Sequence, residues 1–206
     1  MKSLAILGGG GHGMVVADCA EECGITRIDL FDDDISRKVT MDLHVVGTGA
    51  DLLSRCREYE GVIVAIGNNQ ARMERQNALK AAGATMAVLI HPSATVSRHT
   101  QVGTGTVVFA GAVVNVGACL GEAVIVNTGA TVDHDCILAN GVHVAPGAHL
   151  AGGIRAGEET WIGVGAVVRE YVTIGNRVCI GAGAVVVKSI ANDATVVGNP
   201  ARPLIR

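Results

Sequence analysis

Counted in steps of six from Ile90, the chain reads Ile90, Val96, Val102, Val108, Val114, Leu120, Val126, Val132, Leu138, Val144, Leu150, Ala156, Ile162, Val168, Ile174, Ile180 and Val186. Every one of these positions except Ala156 carries Ile, Leu or Val. Four residues after each anchor stands a small or β-branched residue, as at Ala112, Ala118, Val124, Ala130, Cys136, Val142 and Ala148. A helix repeats its apolar stripe every 3.6 residues and a strand every second residue, so a six-residue phase kept for a hundred residues belongs to neither alone.

Such hexads are the signature of a parallel β-helix, in which three six-residue turns close one triangular coil of about 18 residues. Residues 90 to about 190 resemble the left-handed β-helix of hexapeptide-repeat acyltransferases. The handedness is what the resemblance implies, because parallel crossovers otherwise run right-handed. Stacked at about 4.8 Å per coil, the repeats predict a prism roughly 27 Å long. Composition agrees with stacked short strands: twenty-eight glycines stand against one Trp, two Tyr and two Phe, so the core must be filled by small and branched side chains.

The first part of the chain has a different grammar. LAIL at 4–7, RIDLF at 27–31 and VIVAIG at 62–67 read as strands, with helices predicted over 14–23 and 69–82 and a closing strand near 85–89. Alternation of strand and helix predicts a small parallel α/β sheet. The expected organisation is α/β plus β: a Rossmann-like domain over 1–89, then a β-helix domain with a C-terminal tail over 90–206.

A net charge of −3 with no basic run leaves no electrostatic footprint for nucleic acid or an anionic membrane. The six cysteines form no Cys-x-x-Cys pair, which argues against a disulfide framework and a structural zinc site. No stretch is long and apolar enough for a membrane span. A soluble, cytoplasmic protein is expected.

Two segments carry candidate chemistry. GGGGHG at 8–13 follows a strand and precedes a helix, and Asp32 closes the next strand, which satisfies the dinucleotide fingerprint. A nicotinamide dehydrogenase is therefore one reading and a plain tight turn another. An α/β portion of this length holds one mononucleotide half, which favours backbone N–H groups on a single nucleotide's phosphate with Asp32 and Asp33 accepting from base or ribose. The second segment is VDHDC at 132–136. Val132 and Cys136 occupy inward positions of the hexad lattice, so Cys136 is read as core and Asp133, His134 and Asp135 face outward. A carboxylate beside an imidazole holds one tautomer and strengthens it as a base near neutral pH.

VNTGATVDHDC at 126–136, VHVAPGAHLAGG at 142–153, GGGGHG, FDDD at 31–34, AIGNN at 65–69 and VVGNPAR at 196–202 together resemble the bacterial nucleotide-amino-sugar N-acetyltransferases. These UDP-4-amino-4,6-dideoxy-N-acetylglucosamine N-acetyltransferases share their outline with sialic acid O-acetyltransferases. The resemblance implies acetyl-CoA as co-substrate, a UDP-amino-sugar acceptor and glycan biosynthesis as the setting. It implies His134 as general base, Asp135 raising its basicity, and Asn127 in the same pocket. It also implies that His143, Gly152 and Val164 contact acetyl-CoA, and that Gly10, Gly11, His12, Asp32, Asp33 and Gly67 contact the UDP-sugar. His134 and His143 are nine residues apart, half a coil, so one site using both would join two chains, and a three-sided prism suits a homotrimer. No metal is expected. A zinc site built from His143 and His149, sialic acid O-acetylation and a noncatalytic nucleotide-sensing scaffold are the competing readings.

Overall fold

The structure, a computed structural model, describes residues 1–204 and divides into two compact units, Met1–Pro92 and the residues from Ser93 on. In the first unit four parallel strands, β1 (Ser3–Leu7), β2 (Arg27–Phe31), β3 (Val45–Gly47) and β4 (Gly61–Val64), lie in the order β3-β2-β1-β4. Ile6 stands opposite Leu30 on one side and Ile63 on the other. β1 and β4 are apolar along most of their length, and Leu4, Ala5, Ile6, Val62 and Ile63 are buried, as a parallel sheet covered on both faces requires. Helices α1 (Gly11–Glu22), α2 (Gly49–Arg55) and α3 (Asn69–Ala81) supply the crossovers.

Two elements go beyond the sequence reading. β3 and α2 fill the segment between Phe31 and Gly61, where β3 is only three residues long and half-exposed and so shows little apolar pattern. Its helix start is nevertheless written in the chain: Thr48 caps α2 by accepting from the Asp51 N–H, and the Asp51 carboxylate accepts from Thr48 in return. The strand expected near 85–89 is a single bridge, Val62 to Met86, followed by the two-residue strand Leu89–Ile90.

The second unit is the left-handed β-helix. One face stacks Val107–Val108, Ile125–Val126, His143–Val144, Trp161–Ile162, Cys179–Ile180 and Thr195–Val197. A second stacks Thr95–Val96 through Thr131–Val132 and His149–Leu150 to Val185–Val186, and a third runs from Gln101–Val102 to Thr173–Ile174. Partners are 18 residues apart, Val108 on Val126 on Val144 on Ile162 on Ile180, until Ile180 pairs with Val196 and the last coil is shorter. From Val108 to Val186 every anchor is buried. Ile90 keeps the phase but is less buried than its anchor position implies: it is 36% exposed, and Val96 and Val102 only pack partly against the core. The first coil has no coil beneath it to close over its anchors.

A second periodicity lies in the backbone. Every sixth residue from Gly105 to Gly183 has positive φ, one at each corner. Nine of these are glycine; the other five are Ala123, Asp135, Glu159, Tyr171 and Arg177. The corner demands a left-handed residue, which glycine adopts without steric cost.

Candidate active site

His134 stands in the corner that leads from the second face to the third, on the turn between Thr131–Val132 and Ile137–Leu138. Its side chain is 48% exposed, and Nδ1 lies 2.8 Å from Asp135 Oδ2. The carboxylate can only accept, so the ring proton resides on Nδ1 and Nε2 keeps its lone pair. The Asp135 hydrogen bond, reinforced by the negative charges of Asp133 and Asp135, holds the imidazole above its ordinary pKa against slight desolvation. Asp133 braces the turn: its Oδ1 accepts from the His134 N–H at 2.7 Å and from Asn115 Nδ2 at 2.8 Å, which keeps its carboxyl below the usual range.

Two glycines make room for this pair. A Cβ on Gly152, one coil further on, would collide with Nε2 of His134, and a Cβ on Gly117, one coil back, would stand 2.6 Å from Asp135 Oδ1. The pair thus lies along the prism axis across three coils of backbone. Asp135 holds its carboxylate there from a φ of 59°, a conformation Asp tolerates better than most residues.

The other expected residues of the β-helix sit elsewhere in the chain. Asn127 follows the first face, at the corner one whole face away from His134. Its Nδ2 donates to Nε2 of His143 at 3.1 Å, and its Oδ1 accepts from the Thr128 N–H. His143 is buried, with Trp161 edge-on at 6.5 Å. Val164 lies on the same corner column as Thr128 and is half-exposed. Within one chain, therefore, His134, Asp135 and Gly152 form one group and Asn127, His143 and Val164 another. His149 is on the second face, hydrogen-bonded to Thr131, and so is apart from His143. Among the described residues no three or more His, Cys, Asp or Glu converge as metal ligands.

In the first unit the glycine loop passes from β1 into α1. Gly8 adopts a φ of 115°, a Cβ there would stand 2.6 Å from the Ala65 carbonyl oxygen, and Gly13 packs where any side chain would strike the Gly8 carbonyl. These two serve packing. Gly11 and Gly67 face open space, and Gly10 caps α1 without a side-chain bond. Asp32 is committed to the loop: it accepts from the Gly9 N–H at 2.7 Å and the Asp34 N–H at 2.9 Å and pairs with Arg37 at 3.1 Å. Burial pushes its pKa up, but those N–H groups and the guanidinium outweigh it and hold the carboxyl low. Asp33 accepts from the Gly49 N–H at 3.0 Å, lies 3.5 Å from Arg75 and keeps its side chain largely exposed. Leu7, Gly8, Asp32, Asp33, Ile66 and Arg75 line a cavity of about 140 Å³. His12, in the first turn of α1, is pushed down to about 4 by burial and then by the charge of Arg72, so its ring is neutral at pH 7.

Arg37, Arg72, Arg75, Asn115 and Gly117 escape the sequence reading. Only Gly117 leaves a trace, in the corner periodicity that sets glycine at most left-handed positions.

The PglD N-terminal domain model matches residues 3–79, and the model for the bacterial transferase hexapeptide (six repeats) matches 157–188. UDP-N-acetylbacillosamine N-acetyltransferase of Bacillus subtilis (strain 168) is 35% identical over 113 residues, which span 53% of this chain and 52% of that relative. The acetyltransferase domain of PglB from Neisseria gonorrhoeae FA1090, solved with acetyl coenzyme A, is 47% identical with a TM-score of 0.95 over 98% of this chain and 99% of its own. A mutant of perosamine N-acetyltransferase from Caulobacter crescentus, solved with CoA and GDP-perosamine, is 37% identical with a TM-score of 0.96 over 100% of this chain and 98% of its own. Two full-length matches at such identity, joined to the corner histidine, the glycine loop and the 18-residue coil, show that the chain belongs to the hexapeptide-repeat nucleotide-sugar N-acetyltransferases with a PglD N-terminal domain.

Proposed function

We propose that the chain transfers the acetyl group of acetyl-CoA to the 4-amino group of a UDP-4-amino-4,6-dideoxy-N-acetyl hexosamine, as a homotrimer in the cytoplasm. The observation that carries this reading is the half-exposed His134–Asp135 pair at 2.8 Å, in which the carboxylate engages Nδ1 and leaves Nε2 of the neutral ring to take a proton. The neutral amine attacks the thioester carbonyl, and a C–N bond forms while Nε2 takes the amine proton. The C–S bond then breaks, and the departing thiolate recovers that proton from the imidazolium. Alignment and one base supply what the step needs, with no covalent enzyme intermediate.

The nucleotide reading rests on Gly10, with Arg37 Nη1 beside it, and the open Gly11 at the start of α1, whose N–H groups suit a phosphate. Uridine is supported by the name of the Bacillus relative, whereas the Caulobacter enzyme was solved with a GDP-sugar. Six free cysteines are consistent with a reducing compartment. The test is free-thiol release from acetyl-CoA with a panel of UDP- and GDP-amino sugars and sialic acid. Release with a UDP-4-amino sugar, falling about 10²- to 10⁴-fold in His134→Ala with the fold intact, is expected. Acetylation of sialic acid alone, or turnover of His134→Ala within threefold of the parent, overturns the reading.

A further inference from the structure

The first unit encloses a guanidinium that neither the glycine fingerprint nor the base pair uses. Arg72, on α3, is 1% exposed and is the largest of the fully buried side chains. Its Nη1 donates to the carbonyls of Ile66 at 3.0 Å and Gly67 at 3.4 Å, and its Nη2 donates to Asn69 Oδ1 at 2.9 Å. Burying a guanidinium is costly even when it is well hydrogen-bonded, and an apolar side chain would fill the same volume with less desolvation. Ile66 borders the cavity shared with Gly8, Asp32 and Asp33, and Ala65, next to it, is in contact with Gly8 of the glycine loop. On the other side the charge of Arg72 acts on His12, inside the first turn of α1. That helix begins with no side-chain cap and no acidic residue in its first turn, and the carboxylate at its entry, Asp32, is already engaged by the Gly9 N–H and by Arg37.

We infer that Arg72 is a positioning residue for the nucleotide's phosphates. It holds the Ile66 and Gly67 carbonyls toward the interior, away from the mouth of the site, and adds a fixed positive charge beneath the glycine loop. This rests on the nucleotide reading above. A role confined to packing would affect every part of a nucleotide alike, whereas a buried charge acts more strongly on two phosphates than on one.

The experiment is calorimetry of the full chain with UMP and UDP, and with GMP and GDP in parallel, for the parent, Arg72→Lys and Arg72→Gln. The glutamine keeps an N–H donor for the loop and removes the charge; the lysine keeps the charge. Arg72→Gln is expected to lower the ratio of UDP to UMP affinity about tenfold, the scale of one charge acting at about 10 Å through protein. Arg72→Lys should hold that ratio within threefold, and KM for acetyl-CoA should stay unchanged in both. If Arg72→Gln does not fold, Arg72→Met, which fills the volume, takes its place. Equal weakening of mono- and diphosphate, or an unchanged ratio, overturns the role of Arg72. A parent that binds neither nucleotide pair instead overturns the nucleotide reading.

Discussion

Asp135 accepts from Nδ1 of His134 and so sets both where the ring proton sits and how basic the free nitrogen is. Because the pKa of His134 is raised, the base is lost to protonation as pH falls through a value above 6.5, and kcat/KM should show an acid limb there. Asp135→Asn removes the negative charge, so the limb should move to lower pH, while the plateau falls about 10- to 100-fold. Measuring parent and variant with the same acceptor cancels the titration of the substrate amine. An unmoved limb would remove Asp135 from the role. The outward address of His134 was legible because the inward anchors Val132 and Cys136 fix the faces of the residues between them. The brace beneath it was not. Asn115 and Gly117 lie a full coil away in sequence, and only closure of the coil at 18 residues brings them under Asp133 and Asp135. Arg72 was invisible for another reason: an arginine in a charged helix reads as solvated surface, and only the tertiary packing of α3 buries it.

At the scale of one corner, bulky residues alternate with glycine along the axis: Gly117, Asp135, Gly153 and Tyr171 occupy one column, all with positive φ. Tyr171 leans back over Gly153, where a Cβ would stand 2.5 Å from the ring. Gly153→Ala should therefore cost about 1–3 kcal/mol, from both the left-handed backbone and the collision. Tyr171→Gly, at a position 74% exposed, should be neutral or stabilising by up to about 1 kcal/mol. In the double variant the collision vanishes, so urea unfolding should give a loss smaller than the sum of the two single changes. A strictly additive result would mean that the ring does not meet the added methyl group. The hexads made this element readable, since its core repeats side-chain type. The short β3 and α2 of the first unit, between Phe31 and Gly61, were not readable, because seven helical residues and three strand residues carry too little pattern to stand out.

For the whole molecule, the separation of His134 from His143 by one face of the prism leads to the proposed trimer. If one reaction uses both, subunits carrying His134→Ala and subunits carrying His143→Ala, each impaired alone, should regain activity when unfolded and reassembled together. Sizing must confirm reassembly, and absence of recovery would mean that the reaction at His134 does not use a neighbour's His143. His143 is buried and bonded to Asn127, so His143→Ala needs a thermal melt to establish that its loss is not unfolding. The 18-residue register also governs how such a protein can lengthen. A segment of 18 residues inserted between coils returns each later side chain to its own face, one step of about 4.8 Å higher. An insertion of six keeps every anchor inside but rotates all that follows by a third of a turn, carrying Gly152 off the His134 column. Growth of this prism is thus counted in units of 54 coding bases if its reaction is to survive, and in units of 18 if only its core must.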